Sequence, residues 1–246
     1  MKVKLYISFF MTIFSIICYA IDEGPNFPPK IVNKPQDKKD YIAKDFSYLL
    51  GKMDGFNDQL LSMHFQLYKG YIKNLNSYNQ ALIKLREEGK EKTIEYGALK
   101  KQFGFEFDGV FLHEYYFENL GGLKSLDKGD PLYQKIIQDF GSFENFTNDF
   151  KETGLIRGIG WVITYLDPNT SRLYNVWINE HQVNHLVTGV PLLVMDVWEH
   201  AYLTTYGLHR DQYIDNFLKN INWKIVSNRY QNGKSNEQKP HTSSSL

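Results

Sequence analysis

The residues of this chain best placed to do chemistry are its histidines and the carboxylates near them. In Asp196-Val197-Trp198-Glu199-His200, the apolar run Leu192-Leu193-Val194-Met195 delivers a carboxylate and then an imidazole at what reads as a strand end. Sites are commonly built at such ends. An aspartate straight after four apolar residues is costly unless it is ion-paired or metal-bound. His64 and Tyr71 stand seven apart in a helical pattern, on one face and two turns apart, among Leu60, Leu67 and Leu75. His113 lies in Phe111-Leu112-His113-Glu114-Tyr115-Tyr116-Phe117. A buried histidine needs a partner. For either one taken alone, a backbone carbonyl serves as well as a metal. Three imidazoles and one carboxylate make a donor set that suits iron, manganese or zinc.

Other chemistries find no support. The only cysteine is Cys18, inside the leader described below, which leaves no disulfide, thiolate site or cysteine nucleophile in the rest of the chain. There is no Gly-x-Ser-x-Gly elbow, phosphate-binding Gly-x-x-x-x-Gly-Lys loop, Gly-x-Gly-x-x-Gly turn or paired Glu-x-x-His motif. His181 and His185 have the i, i+4 spacing of a helical zinc pair, but Glu180 precedes the first histidine, so the metalloprotease order is missing. The sequons at Asn145 and Asn169 are short matches of little weight.

The elements that must position these groups follow from periodicity. Apolar residues from Phe46 to Leu75 recur at three-and-four spacing, which predicts a long helix, broken near Gly55 or Asn57. A second helix is predicted from Tyr96 to Asn119, stopped by Gly121 and Gly122, and the two form an antiparallel hairpin. Helical patterns at Pro131 to Phe140 and Phe143 to Thr153 precede strands at Gly160 to Leu166 and Arg172 to Asn179 around a polar turn. A third strand, Pro191 to Asp196, and a helix, Arg210 to Asn220, follow. The class is α+β: a helical hairpin (46–124) packed on a domain with a three-stranded antiparallel sheet and helices (125–230). Gln231 to Leu246 is polar and reads as a disordered tail.

The 246 residues, 42% of them hydrophobic, suffice for a sizeable core. Residues 1–20 read as a secretory signal: Lys2 and Lys4, then the apolar stretch Leu5 to Ile17, then Ala20. That stretch is short for a membrane span, so no stable membrane anchor is expected, and export to the periplasm or medium is. Cleavage before Cys18 with lipidation is the alternative, disfavoured by the bulky Ile17. Residues 21–45, with four prolines, read as an extended arm. Basic and acidic residues balance at 28 each, so nothing points to nucleic acid.

Asp196-Val197-Trp198-Glu199-His200-Ala201-Tyr202 resembles the signature heptad of iron/manganese superoxide dismutases. The likeness extends in order through Tyr71-Ile72-Lys73-Asn74-Leu75-Asn76, His113, Phe140-Gly141-Ser142-Phe143, Gly158-Ile159-Gly160-Trp161, Pro191-Leu192-Leu193, Arg210, Tyr213-Ile214 and Asn222-Trp223. The resemblance implies one iron or manganese ion per subunit, held by His64, His113, Asp196 and His200, and disproportionation of superoxide. Ungapped counting back from Tyr71 would put the first ligand at Met63, so His64 implies a helix bulge removed here. Tyr71 corresponds to a tyrosine that feeds protons to the centre, with Tyr116, Trp161 and Trp198 walling the cavity. The family's solvent-binding glutamine is missing: Gly109 occupies one of its places, and His181, with Gln182 as runner-up, is the replacement at the other. A homodimer through Glu199 and His200 is implied, repacked where Leu203 replaces a tyrosine. The rivals are another mononuclear non-haem iron enzyme, with two histidines and one carboxylate, and an inactive homologue of the same fold.

Overall fold

The computed structural model describes residues 39–122 and 124–237. The expected signal, the arm up to residue 38 and the end of the chain beyond 237 lie outside the described residues.

Helix α1 spans Asp58–Glu87. Its first turn is closed by Asn57, whose side chain accepts from the Gln59 amide at 2.7 Å, while Lys84 and Arg86 face the carbonyl end of the dipole. The predicted start at Phe46 is corrected: Ser47–Leu49 form one 3-10 turn, and the chain is irregular from there to Asn57. Gly51 and Gly55 adopt φ of 70° and 77°, which interrupts a helix whatever the apolar spacing. Phe46, Leu49, Met53 and Phe56 are nonetheless buried. Their spacing reflects packing against the core, and periodicity alone could not tell that from a helix. No described helix is long and apolar enough to cross a membrane.

Helix α2, Ile94–Glu118, starts on the Thr93 cap and returns antiparallel to α1. Helices α3 (Pro131–Phe140) and α4 (Phe143–Leu155) carry Asp130 and Ser142 as N-caps, with Gly141 at φ 81° between them. Strands β1 (Gly160–Asp167), β2 (Arg172–Asn179) and β3 (Val190–Asp196) form an antiparallel sheet in the order β2-β1-β3. The α+β class is as expected. In this register Trp161 lies opposite Asp196, so the two share one face of the sheet. A 3-10 turn, Glu199–Ala201, and a one-turn helix α5, Leu203–Tyr206, lead into α6, Arg210–Lys219.

The last helix, α7, covers Trp223–Glu237 and packs on β3 and α3. It enters the stretch from Gln231 that polarity alone assigned to a disordered tail. Gly233 is buried, with Leu166 and Val190 beside it, so close packing holds a segment of poor hydrophobicity. At the other end, residues 40–45 form no regular secondary structure. The Asn76 side chain clasps Tyr41 there, accepting from its N–H and donating to its carbonyl, both at 2.9 Å.

Candidate metal centre

Four elements bring His64 (α1), His113 (α2), Asp196 (end of β3) and His200 (3-10 turn) together. One potential ligand atom from each lies within 4.8 Å of all the others. Asp196 Oδ2 is the hub, 3.1 Å from His64 Nε2, 3.1 Å from His200 Nε2 and 3.7 Å from His113 Nε2. The other oxygen, Oδ1, accepts from the Trp198 amide at 2.8 Å, which leaves Oδ2 to face the imidazoles. Tyr213 donates to the Asp196 carbonyl at 2.7 Å and pairs with Tyr116 at 3.1 Å, fixing the strand end.

The donor set fits a transition metal. His113 Nδ1 lies 2.5 Å from the Gly109 carbonyl. A carbonyl only accepts, so Nδ1 carries the hydrogen and Nε2 presents a lone pair. That Nε2 is buried and has no hydrogen-bond partner. Donors bound to one ion at about 2.1 Å sit about 3 Å apart when adjacent, close to the separations here. Burial lowers the pKa of His64, and burial together with His64 lowers that of His113, so both favour the neutral, ligating form. Burial raises the Asp196 pKa, but His200 and His64 outweigh it and hold the carboxyl well below the ordinary range. Met63 is 48% exposed on the outer side of α1, against 2% for His64. Helix α1 runs through both without irregularity.

Aromatic rings surround the four residues. His113 lies 5.0 Å from Trp161, His64 lies 5.2 Å from Tyr116, and Trp198 stacks on His200 at 5.7 Å and on His181 at 4.7 Å. Phe105, 4.5 Å from His181 and 6.1 Å from Tyr71, joins these rings. Sequence reasoning gave no role to Phe105 or Tyr213. Phe105 stands eight before His113, a spacing that puts the two near one face of α2 and could have found it.

His181 is fully buried. Its Nδ1 accepts from the Trp161 indole at 3.0 Å, and its Nε2 is 2.8 Å from the Tyr71 hydroxyl. Gln182, the runner-up, is exposed and its Oε1 turns back to the His181 amide, so it does not reach the centre. Gly109 lies under Tyr71: a Cβ there would stand 2.8 Å from Tyr71 Cδ1. His181 and His185 form no zinc pair. His181 sits in a turn, and His185, in the irregular segment after it, bonds Tyr165 at 2.7 Å and the His181 carbonyl at 2.7 Å.

Burial lowers the His181 pKa from 6.5 to about 4. Between those values the unfolded chain binds the proton and the folded one does not, so this contribution is complete above 6.5 and is lost as pH falls towards 4. The metal-free protein is therefore expected to lose about 3 kcal/mol at this residue over that window. Urea unfolding at several pH values measures it, and His181→Gln should flatten the acid limb.

Fold and site together define a protein with one nitrogen- and oxygen-liganded metal centre between a helical hairpin and a small antiparallel sheet. The profile described as "Iron/manganese superoxide dismutases, C-terminal domain" matches residues 128–229. The "Superoxide dismutase [Fe]" of Aquifex aeolicus is 36% identical over 187 residues, 73% of this chain and 86% of its own. That of Cupriavidus metallidurans is 33% identical over 193 residues, 77% of this chain and 96% of its own. The "Superoxide dismutase [Mn]" of Haloarcula marismortui is 28% identical over 179 residues, 71% and 85% of the two chains. The chain belongs to the iron/manganese superoxide dismutase family.

Proposed function

We propose that this protein disproportionates superoxide to oxygen and hydrogen peroxide at one iron or manganese ion held by His64, His113, Asp196 and His200. The observation that carries this reading is the convergence of three imidazole Nε2 atoms on one oxygen of the buried Asp196 carboxylate. When bound, the ion supplies the one-electron chemistry, taking an electron from one superoxide and giving it to a second, which leaves as peroxide after gaining two protons.

The residues of the chain do the rest. Asp196 offsets the charge of the ion, and the Gly109 carbonyl orients the His113 ring. Tyr116, Trp161 and Trp198 close the cavity to larger molecules. An indole N–H can only donate, so Trp161 fixes the tautomer of His181: Nδ1 accepts and Nε2–H donates to the Tyr71 oxygen. The hydroxyl hydrogen of Tyr71 is thereby free to turn towards the centre. Burial, then Asp196 and Glu106, raise the pKa of that phenol, so it stays protonated and able to give a proton.

Export through residues 1–20 and a homodimer through Glu199 and His200 complete the reading. Leu203 and Leu208, 44% and 93% exposed and close to that pair in sequence, would add apolar contact to it.

The test is metal analysis of the purified protein beside a dismutation assay after loading with iron and with manganese. One metal per chain and activity with at least one of them are expected. A preparation that binds neither, or binds both and is inactive, overturns the proposal.

A further inference from the structure

The route from Tyr71 through His181 ends at Trp161. An indole N–H does not release its proton under ordinary conditions, so this arm can orient Tyr71 but cannot keep refilling it. A reaction that consumes two protons per peroxide needs another source.

Glu106 occupies the place where such a source would stand. Glu106, Gly109 and His113 follow one another at i, i+3 and i+7 on α2, hence along one stripe, with about 5–6 Å between successive members. The Tyr71 ring rests on Gly109 and lies 5.1 Å from the His113 ring. Glu106 therefore flanks Tyr71 one turn back, as His113 does one turn on. Asn74, one turn beyond Tyr71 on α1, and Gln102, one turn before Glu106 on α2, are the polar side chains beside its carboxyl, and both act to lower its pKa against the effect of burial. Both are neutral amides, and among the described residues no ion pair forms with Glu106. It is 5% exposed, yet Oε2 is buried with no hydrogen-bond partner. A buried carboxylate with a bare oxygen is costly, whereas a carboxylic acid is tolerated there. Burial accordingly raises its pKa.

We propose that Glu106 is a proton-holding residue that acts through Tyr71, refilling the tyrosine from the side of the hairpin away from His113. This rests on the dismutase reading. In each refilling the Tyr71 O–H bond breaks and its proton passes inward to the reduced oxygen species. The Glu106 O–H bond then breaks, its proton goes to the Tyr71 oxygen directly or through one water, and solvent reprotonates the carboxylate. No electron moves in these steps.

The test uses Glu106→Gln, which keeps the shape and the amide contacts, and Glu106→Met as a second variant should the first fold poorly. On metal-free protein, infrared spectra of the wild type taken from about pH 4 upward should show a protonated-carboxyl stretch, absent from either variant, that persists to higher pH than that of an ordinary glutamate. On metal-loaded protein, kcat should fall about tenfold with kcat/KM little changed, and small weak acids in the buffer should restore it. Absence of a Glu106-dependent band, an unchanged kcat, or a loss that weak acids do not rescue overturns the proposal. A wild type that loads metal but does not dismutate superoxide overturns the functional reading itself. The infrared band is read without activity and so separates the two failures.

Discussion

His64→Ala is expected to yield a protein without stoichiometric metal and without dismutation above background, while Met63→Leu keeps both. His64 is 2% exposed with Nε2 3.1 Å from Asp196 Oδ2, whereas Met63 is 48% exposed on the same helix. Losing even an outer partner of a metal ligand typically costs about 10–100-fold in affinity, and losing a ligand costs more. Metal content by elemental analysis after identical purification decides between the two residues. A metal-replete His64→Ala protein would refute the ligand assignment.

Arg229→Ala should be a strongly damaging truncation away from the centre. Its side chain is 13% exposed and donates to Glu118 Oε2 at 2.8 Å, Asn119 Oδ1 at 2.6 Å and the Leu192 carbonyl at 2.8 Å. Its cation also lies 4.2 Å from the Tyr115 ring centre. One fork thus ties α7 to the end of α2 and to β3, the strand that ends in Asp196. Truncation strands several buried acceptors and should cost about 3 kcal/mol or more. That corresponds to a fall in Tm of about 10 °C for a domain of this size. Arg229→Lys, with a point charge in place of a planar fork, should recover only part. A loss below about 1 kcal/mol in thermal or urea unfolding would contradict this account.

Much of this was legible in the sequence, for identifiable reasons. Asp196 and His200 announced themselves because a charged residue ending an apolar strand is anomalous wherever it occurs. The helices were legible where caps reinforce periodicity, as at Asp130 and Ser142. Periodicity failed at Phe46 to Phe56, where two glycines at positive φ break the helix while the side chains still pack inward. Polarity misled at Gln231 to Glu237, because that polar stretch continues a helix whose Trp223, Val226 and Tyr230 are buried and whose Arg229 forks onto α2 and β3, with Gly233 packed closely behind them. The Trp161–His181–Tyr71 chain could not be read from spacing at all. Its members come from β1, the turn after β2 and α1, and only the folded sheet register brings them together.

Asp196 and the three histidines around its Oδ2 are drawn from positions 64 to 200, from both ends of the fold. No fragment of the chain can assemble the centre, so ion capture is thermodynamically part of folding: an ion at a thousand times its Kd adds about 4 kcal/mol to the native state. If the chain crosses a membrane unfolded, it cannot bring its ion along. The metal supply of the compartment where it folds then decides which ion it holds, and a shortage there would show first as protein lost to proteolysis.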